Sequence, residues 1–197
     1  MRLLLIRHTT PDVPAGQCYG RRDVPAHAAG LASWLADWDA GRHAGQPWQG
    51  YRRLLSSPAR RCAVLADALA GRLALPVETD PDWQEMDFGA WEGQTWDAIG
   101  RAAVDAWAAD AVQYAPGGGE SALAMMHRVA SGAERLRAAG QDAVLVCHGG
   151  PIRMLQAWRA VRADCPDAGC DAAVRQACDQ AVRLAAPAPG AVLMLEW

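Results

Sequence analysis

Two short runs without a polar residue, Leu3-Leu4-Leu5-Ile6 and Val144-Leu145-Val146-Cys147, constrain this chain more than any other feature. A strand that is apolar at every position must be covered on both faces, which is the habit of parallel strands inside α/β folds. Leu54-Leu55 and residues 191–195 are two further strand-sized runs. Between the runs the apolar period becomes helical. Leu31, Trp34, Leu35 and Trp38 recur at i, i+3, i+4 and i+7, and Val64, Leu65, Ala68 and Leu69 make a similar stripe over residues 60–70. A third helix is predicted through Trp96, Ile99, Ala103 and Trp107, and a fourth over 121–138, N-capped after the Gly117-Gly118-Gly119 turn. A fifth, over 150–161, carries Ile152, Leu155 and Trp158, and a sixth spans 171–184. Strands alternating with helices of this length predict a three-layer α/β/α sandwich with a mostly parallel central sheet and right-handed crossovers.

The 197 residues suffice for one domain, 1–197, burying roughly 70% of its unfolded surface, and no repeat or low-complexity linker divides them. With 51% hydrophobic residues and a net charge of −3, the chain reads as soluble and globular, with no nucleic-acid partner. All 19 basic residues are Arg, which excludes a Lys-dependent P-loop, a Schiff-base lysine and pyridoxal-phosphate chemistry. The first apolar run is too short for a signal-peptide core or a membrane span, so a cytoplasmic protein without a membrane partner is expected. Cys18, Cys62, Cys147, Cys165, Cys170 and Cys178 form no C-x-x-C pair. They are expected to be reduced, buried thiols, and no metal or disulfide is assigned to Cys165, Cys170 and Cys178. The nine Trp, mostly at stripe positions, are expected to fill the core rather than to stack on a ligand.

Ligands of open α/β sheets bind beyond the carboxyl ends of the strands. There Leu3 to Ile6 delivers Arg7-His8, Leu54-Leu55 delivers Ser56-Ser57-Pro58 and then Arg60-Arg61, and Val144 to Cys147 delivers His148. Gathering several cationic groups in one crevice costs self-repulsion and desolvation, which an anion offsets, and the guanidinium fork matches phosphate oxygens. The expected ligand is therefore a phosphate. Neighbouring Arg charges favour a neutral imidazole, which can attack phosphorus, while the Arg side chains and the second His meet the charge of an in-line displacement. A proton for the leaving oxygen is sought between Trp83 and Gly93, where carboxylates lie among aromatics, a setting in which burial can raise a carboxyl pKa. Glu85 is the candidate, with Glu92 and Asp87 behind it. The pairs Asp37/Asp39 and Asp80/Asp82 read as helix surface and turn rather than magnesium ligands, so no metal and no cofactor is expected.

In this order the residues resemble the histidine phosphatases of the phosphoglycerate mutase-like superfamily, from Arg7 to about Arg153. The family's R-H-G is similar to Arg7-His8-Thr9, and its S-x-L-x-R to Ser57-Pro58-Ala59-Arg60-Arg61. Its acid segment matches Glu85-Met86-Asp87-Phe88-Gly89-Ala90-Trp91-Glu92-Gly93, its G-G-E-S Gly118-Gly119-Glu120-Ser121, and its H-G-G His148-Gly149-Gly150. The resemblance implies a phosphoglycerate mutase-like fold with His8 as nucleophile and Glu85 as proton donor. It also implies that Arg7, Arg61 and His148 bind the phosphoryl group. Thr9, Pro14 and Ala59 depart from the usual Gly, Asn and Leu, and the lost Asn amide argues against mutase-type substrate positioning.

These readings imply a metal-independent phosphomonoesterase acting on a small-molecule phosphate ester through a phosphohistidine. Cys18-Tyr19-Gly20-Arg21-Arg22-Asp23-Val24-Pro25 resembles the α-ribazole phosphatases of cobalamin biosynthesis. The alternatives are a broad-specificity small-molecule phosphatase, a phosphoglycerate mutase-like enzyme and a non-catalytic phospho-ligand binding module. Tyr19, Arg21, Arg22 and residues 109–119 are candidates for the substrate-side wall, with ordinary solvated loop as the alternative, and a homodimer is left open.

Overall fold

The computed structural model describes residues 1–43, 48–164 and 171–197. The apolar runs become β1 (Arg2–Arg7), β2 (Arg53–Ser56), β4 (Ala143–Cys147) and β5 (Val192–Glu196), and β3 (Val77–Thr79) joins them. The sheet order is β3-β2-β4-β1-β5, parallel throughout except for the antiparallel edge β5. Around it lie α1 (Ala28–Asp39), α2 (Arg60–Leu73), α3 (Trp96–Ile99), α4 (Arg101–Ala109), α5 (Ala122–Ala139), α6 (Gly149–Asp164) and α7 (Asp171–Ala181). This is the phosphoglycerate mutase-like α/β architecture.

The period of two in the central strands divides the core into two halves. Leu3, Leu5, Leu145 and Cys147 face a cluster with Met125, Val129, Leu155 and Trp158 from α5 and α6. Leu4, Ile6, Val144 and Val146 face Trp34, Trp38, Leu65 and Leu69 from α1 and α2. Each fully buried aliphatic side chain contributes about 1.5–3 kcal/mol. Every residue of β4 is buried, as the unbroken apolar run requires.

Three expectations change. The third helix breaks into α3 and α4 at Gly100, whose φ of 86° leaves the helical region, and neither piece buries a residue completely. Val64, counted in the α2 stripe, is 40% exposed, and Arg61, Cys62 and Ala66 are buried in that helix instead. β3 escapes the pattern because it has three residues, of which only Val77 is aliphatic. Ser121 does cap α5, accepting a bond from Ala124 N.

Cys18, Cys62, Cys147 and Cys178 are buried free thiols, while Cys165 and Cys170 lie outside the described residues. Burial holds Cys62 protonated, its pKa pushed up to about 12. Asp37 and Asp39 meet Arg42 and Arg72, and Asp80 and Asp82 share Arg135, so the acidic pairs are engaged as ion pairs. Among the described residues no helix is long and apolar enough to cross a membrane.

Candidate active site

The register of the three central strands assembles the site. Arg7 on β1 lies opposite Cys147 on β4, and Ser56 on β2 lies opposite Val146, so the next residues of each chain segment leave the sheet at one level. His8 and His148 consequently stand with ring centroids 5.1 Å apart at an angle of 66°. His8 is 1% exposed, and Arg61 and His148 are completely buried. Helices α2 and α6 begin at this edge, so two positive helix termini add to the charge of the guanidinium groups.

Hydrogen bonds set the state of each ring. The Nδ1 of His8 lies 2.7 Å from the Thr9 carbonyl, which can only accept, so Nδ1 carries the proton and Nε2 keeps its lone pair. Burial lowers the His8 pKa to about 3, with Arg61 and Arg7 adding repulsion, although the Thr9 bond works the other way. His148 has its Nε2 2.8 Å from Ser57 Oγ. Burial, then the charges of Arg61, His8, Arg128 and Arg7, hold its pKa well below the usual imidazole value.

Both arginines are anchored by carbonyl oxygens of loops at the site. Arg61 donates from Nη1 to Arg22 O and from Nη2 to Gly20 O at 2.9 and 2.7 Å, with its guanidinium 5.2 Å from the Tyr19 ring centroid. Arg7 donates from Nη1 to the Pro187 carbonyl and packs on Gly149. Three buried polar groups at this edge have no protein partner: Arg7 Nε, Thr9 Oγ1 and Arg61 Nε. Such groups are rare in folded proteins and call for an acceptor from outside the chain.

Glu85 approaches from the loop after β3. Its Oε2 accepts from Gly150 N at 3.2 Å and its Oε1 from Met86 N at 3.0 Å, which seats it at the start of α6. A Cβ on Gly150 would lie 2.1 Å from Glu85 Oε1, so the second glycine of His148-Gly149-Gly150 makes room for the carboxylate. Glu92 and Asp87 have other roles. Glu92 Oε1 accepts from Arg21 N and Phe88 N, and Asp87 Oδ1 from Gly89 N.

All five predicted site residues therefore meet at one edge, and the structure adds others that the sequence left unassigned. Arg128 on α5 donates to the carbonyls of Asp82, Gln84 and Glu85 and pairs with Glu120, fixing the backbone that carries Glu85. Arg21 joins Glu120 from the other side. Arg128 gave no signal because an Arg on an amphipathic helix reads as solvent-facing, whereas Glu120 and Ser57 stand in the matched motifs without an assigned role. Tyr19 lines a cavity of roughly 220 Å³ with Arg7, Glu85, Gly149, Trp96 and Trp107. These two Trp depart from the core-filling expectation.

The paired cold imidazoles have a measurable cost. An unfolded chain protonates both rings near pH 6.5, and the folded one excludes the protons, so unfolding takes protons up and stability falls as the pH drops below about 6.5 toward 3. Each ring contributes a slope of up to about 1.4 kcal/mol per pH unit in that window. Urea titration is expected to show a clearly lower midpoint at about pH 5.5 than at about pH 7.5, above the range where carboxylates protonate. Equal midpoints would count against the neutral pair.

An α/β sheet whose strand ends deliver an Arg-His pair and a second His defines a phosphoglycerate mutase-like domain. The chain belongs to the histidine phosphatase superfamily, branch 1, whose family model matches residues 3–165. Bifunctional protein Rv2228c of Mycobacterium tuberculosis is 32% identical over 159 residues, 78% of this chain and 43% of that protein. The chain thus spans less than half the length of the curated relatives it matches. Among solved structures, the mycobacterial glucosyl-3-phosphoglycerate phosphatase Rv2419c is similar with a TM-score of 0.73 and 27% identity, over 98% of this chain and 88% of that one. The α-ribazole phosphatase from Shigella flexneri is similar with a TM-score of 0.69 and 29% identity, over 81% and 79%.

Proposed function

We propose that the chain is a metal-independent phosphomonoesterase working by double displacement. The observation that carries this reading is the set of buried donors without a partner, Arg7 Nε, Thr9 Oγ1 and Arg61 Nε, beside a neutral imidazole whose Nε2 is free to attack. The phosphate oxygens supply the missing acceptors. His8 Nε2 attacks phosphorus in line, the P–O bond to the alcohol breaks, and Glu85 gives its proton to the departing oxygen. Arg7, Arg61 and His148 meet the charge on the equatorial oxygens. A water then attacks the phosphohistidine, Glu85 takes its proton, and the P–N bond breaks to release phosphate.

The substrate assigned by this reading is α-ribazole 5′-phosphate, supported by the 18–25 segment and by the likeness to the Shigella flexneri enzyme. A second reading, a phosphorylated sugar acid, draws on the wider coverage by the glucosyl-3-phosphoglycerate phosphatase. Measured kcat/KM for α-ribazole 5′-phosphate against sugar phosphates, nucleotides and glucosyl-3-phosphoglycerate decides between them, because discrimination lies in that ratio. The ratio is expected to favour α-ribazole 5′-phosphate. Phosphate transfer to monophosphoglycerate instead of release would indicate a mutase, and phosphate binding without turnover a binding module.

A further inference from the structure

The wall on the alcohol side of the site is apolar and continues into a second cavity. Met86, Trp107 and Arg153 line the first cavity, which holds Arg7 and Glu85, and also line a neighbouring one of roughly 270 Å³. Val104, Met125, Met154 and Val182 complete much of the second, and no acidic residue lines it. Toward the entrance stands Trp96, 38% exposed on a four-residue helix that buries nothing completely. Its ring lies parallel to that of Trp107, with centroids 6.3 Å apart and planes at 7°, and Phe88 meets both edge-on at 6.0 and 5.6 Å. Large aromatic surface beside a site, rather than in the core, marks a surface that binds.

An ester held at its phosphate by Arg7 must place its alcohol among these groups. Hydroxyls or a carboxylate would lose water against Met86 and Trp107 and gain no matching donors, whereas a flat ring gains both burial and aromatic contact. Arg153 is anchored on one side by the Leu184 carbonyl and lies at the junction of the two cavities, where its cation can cover a ring face. We propose that Met86, Trp96 and Trp107 select phosphate esters whose alcohol carries an uncharged aromatic ring, and that the cavity behind Trp107 receives that ring. This rests on the phosphomonoesterase reading above and adds to it the class of the leaving group.

Two esters of similar primary alkoxides isolate the effect: 2-(1-naphthyl)ethyl phosphate and glycerol 3-phosphate. The naphthyl ester is expected to be hydrolysed with a kcat/KM about 100-fold higher, expressed mainly in KM. Ala111→Trp, which fills the second cavity, is expected to bring that ratio down about tenfold or more, and Ala108→Phe on the exposed side of α4 serves if the first variant does not fold. Binding of 2-(1-naphthyl)ethanol, followed by tryptophan fluorescence, reads the cavity without turnover. It is expected to be equal in the parent and in His8→Ala, and about tenfold weaker in the filled variant. Release of phosphate from both esters at rates within about threefold of each other would overturn the proposal and leave the phosphatase reading standing. Naphthylethanol binding with no phosphate released from either ester would overturn the phosphatase reading and support the cavity. Neither binding nor release would overturn both.

Discussion

The His8→Ala protein is expected to lose turnover of p-nitrophenyl phosphate by a factor on the order of 10⁴ or more, the scale on which enzymes lose a covalent nucleophile. The substitution removes the Nε2 lone pair while leaving Arg7, Arg61 and His148 in place, so binding of inorganic phosphate survives the loss of rate. Rapid acid-free quenching of the parent enzyme during turnover is expected to trap one acid-labile phosphate per chain, absent from the variant. Unchanged hydrolysis in His8→Ala would remove the double-displacement mechanism altogether. The prediction is sharp because His8 is neutral with its pKa near 3, so no protonated fraction stands in the way of attack at neutral pH.

Glu85→Gln is expected to divide the two half-reactions according to the leaving group. For an alkyl phosphate the departing alkoxide needs a proton, and kcat is expected to fall by about 10²–10⁴. For p-nitrophenyl phosphate the phenolate leaves without help, so phosphorylation of His8 proceeds while hydrolysis of the phosphohistidine, which needs Glu85 as base, is slow. Stopped-flow absorbance is therefore expected to show a burst of nitrophenolate close to one equivalent of enzyme, followed by a slow steady rate. Equal losses with both esters and no burst would assign Glu85 a positioning role, consistent only with its bonds from Gly150 N and Met86 N.

The parts of this site that were legible in the sequence are those where one residue type answers one physical demand. A run such as Leu3 to Ile6 admits few environments, and the residues next in the chain must sit at the strand's carboxyl end. His8, Arg61 and His148 could be found in that way because they lie within a few residues of such runs. Glu85 is different: it hangs from a loop after a strand too short to show a pattern, and the motif, more than the periodicity, located it. Arg128 was hidden because nothing local distinguishes a helix arginine that clasps three carbonyls from one that faces water. The stripe through Trp96 and Trp107 was legible as apolar but its destination was not. Periodicity records that a face avoids water without saying whether the core or a ligand covers it.

The antiparallel edge of the sheet bears on how the enzyme comes into being. β5 zips along β1, and Gly190 N donates to the carbonyls of both Arg7 and His8. The nucleophile's own peptide is thus clasped by residues synthesised some 180 positions later. Because contacts this distant in sequence form slowly, a nascent chain can hold Arg7 and His8 for most of its translation without a working centre. Activity then arrives as a late, all-or-none event that certifies the whole domain, and a fragment ending before residue 190 is expected to be inert.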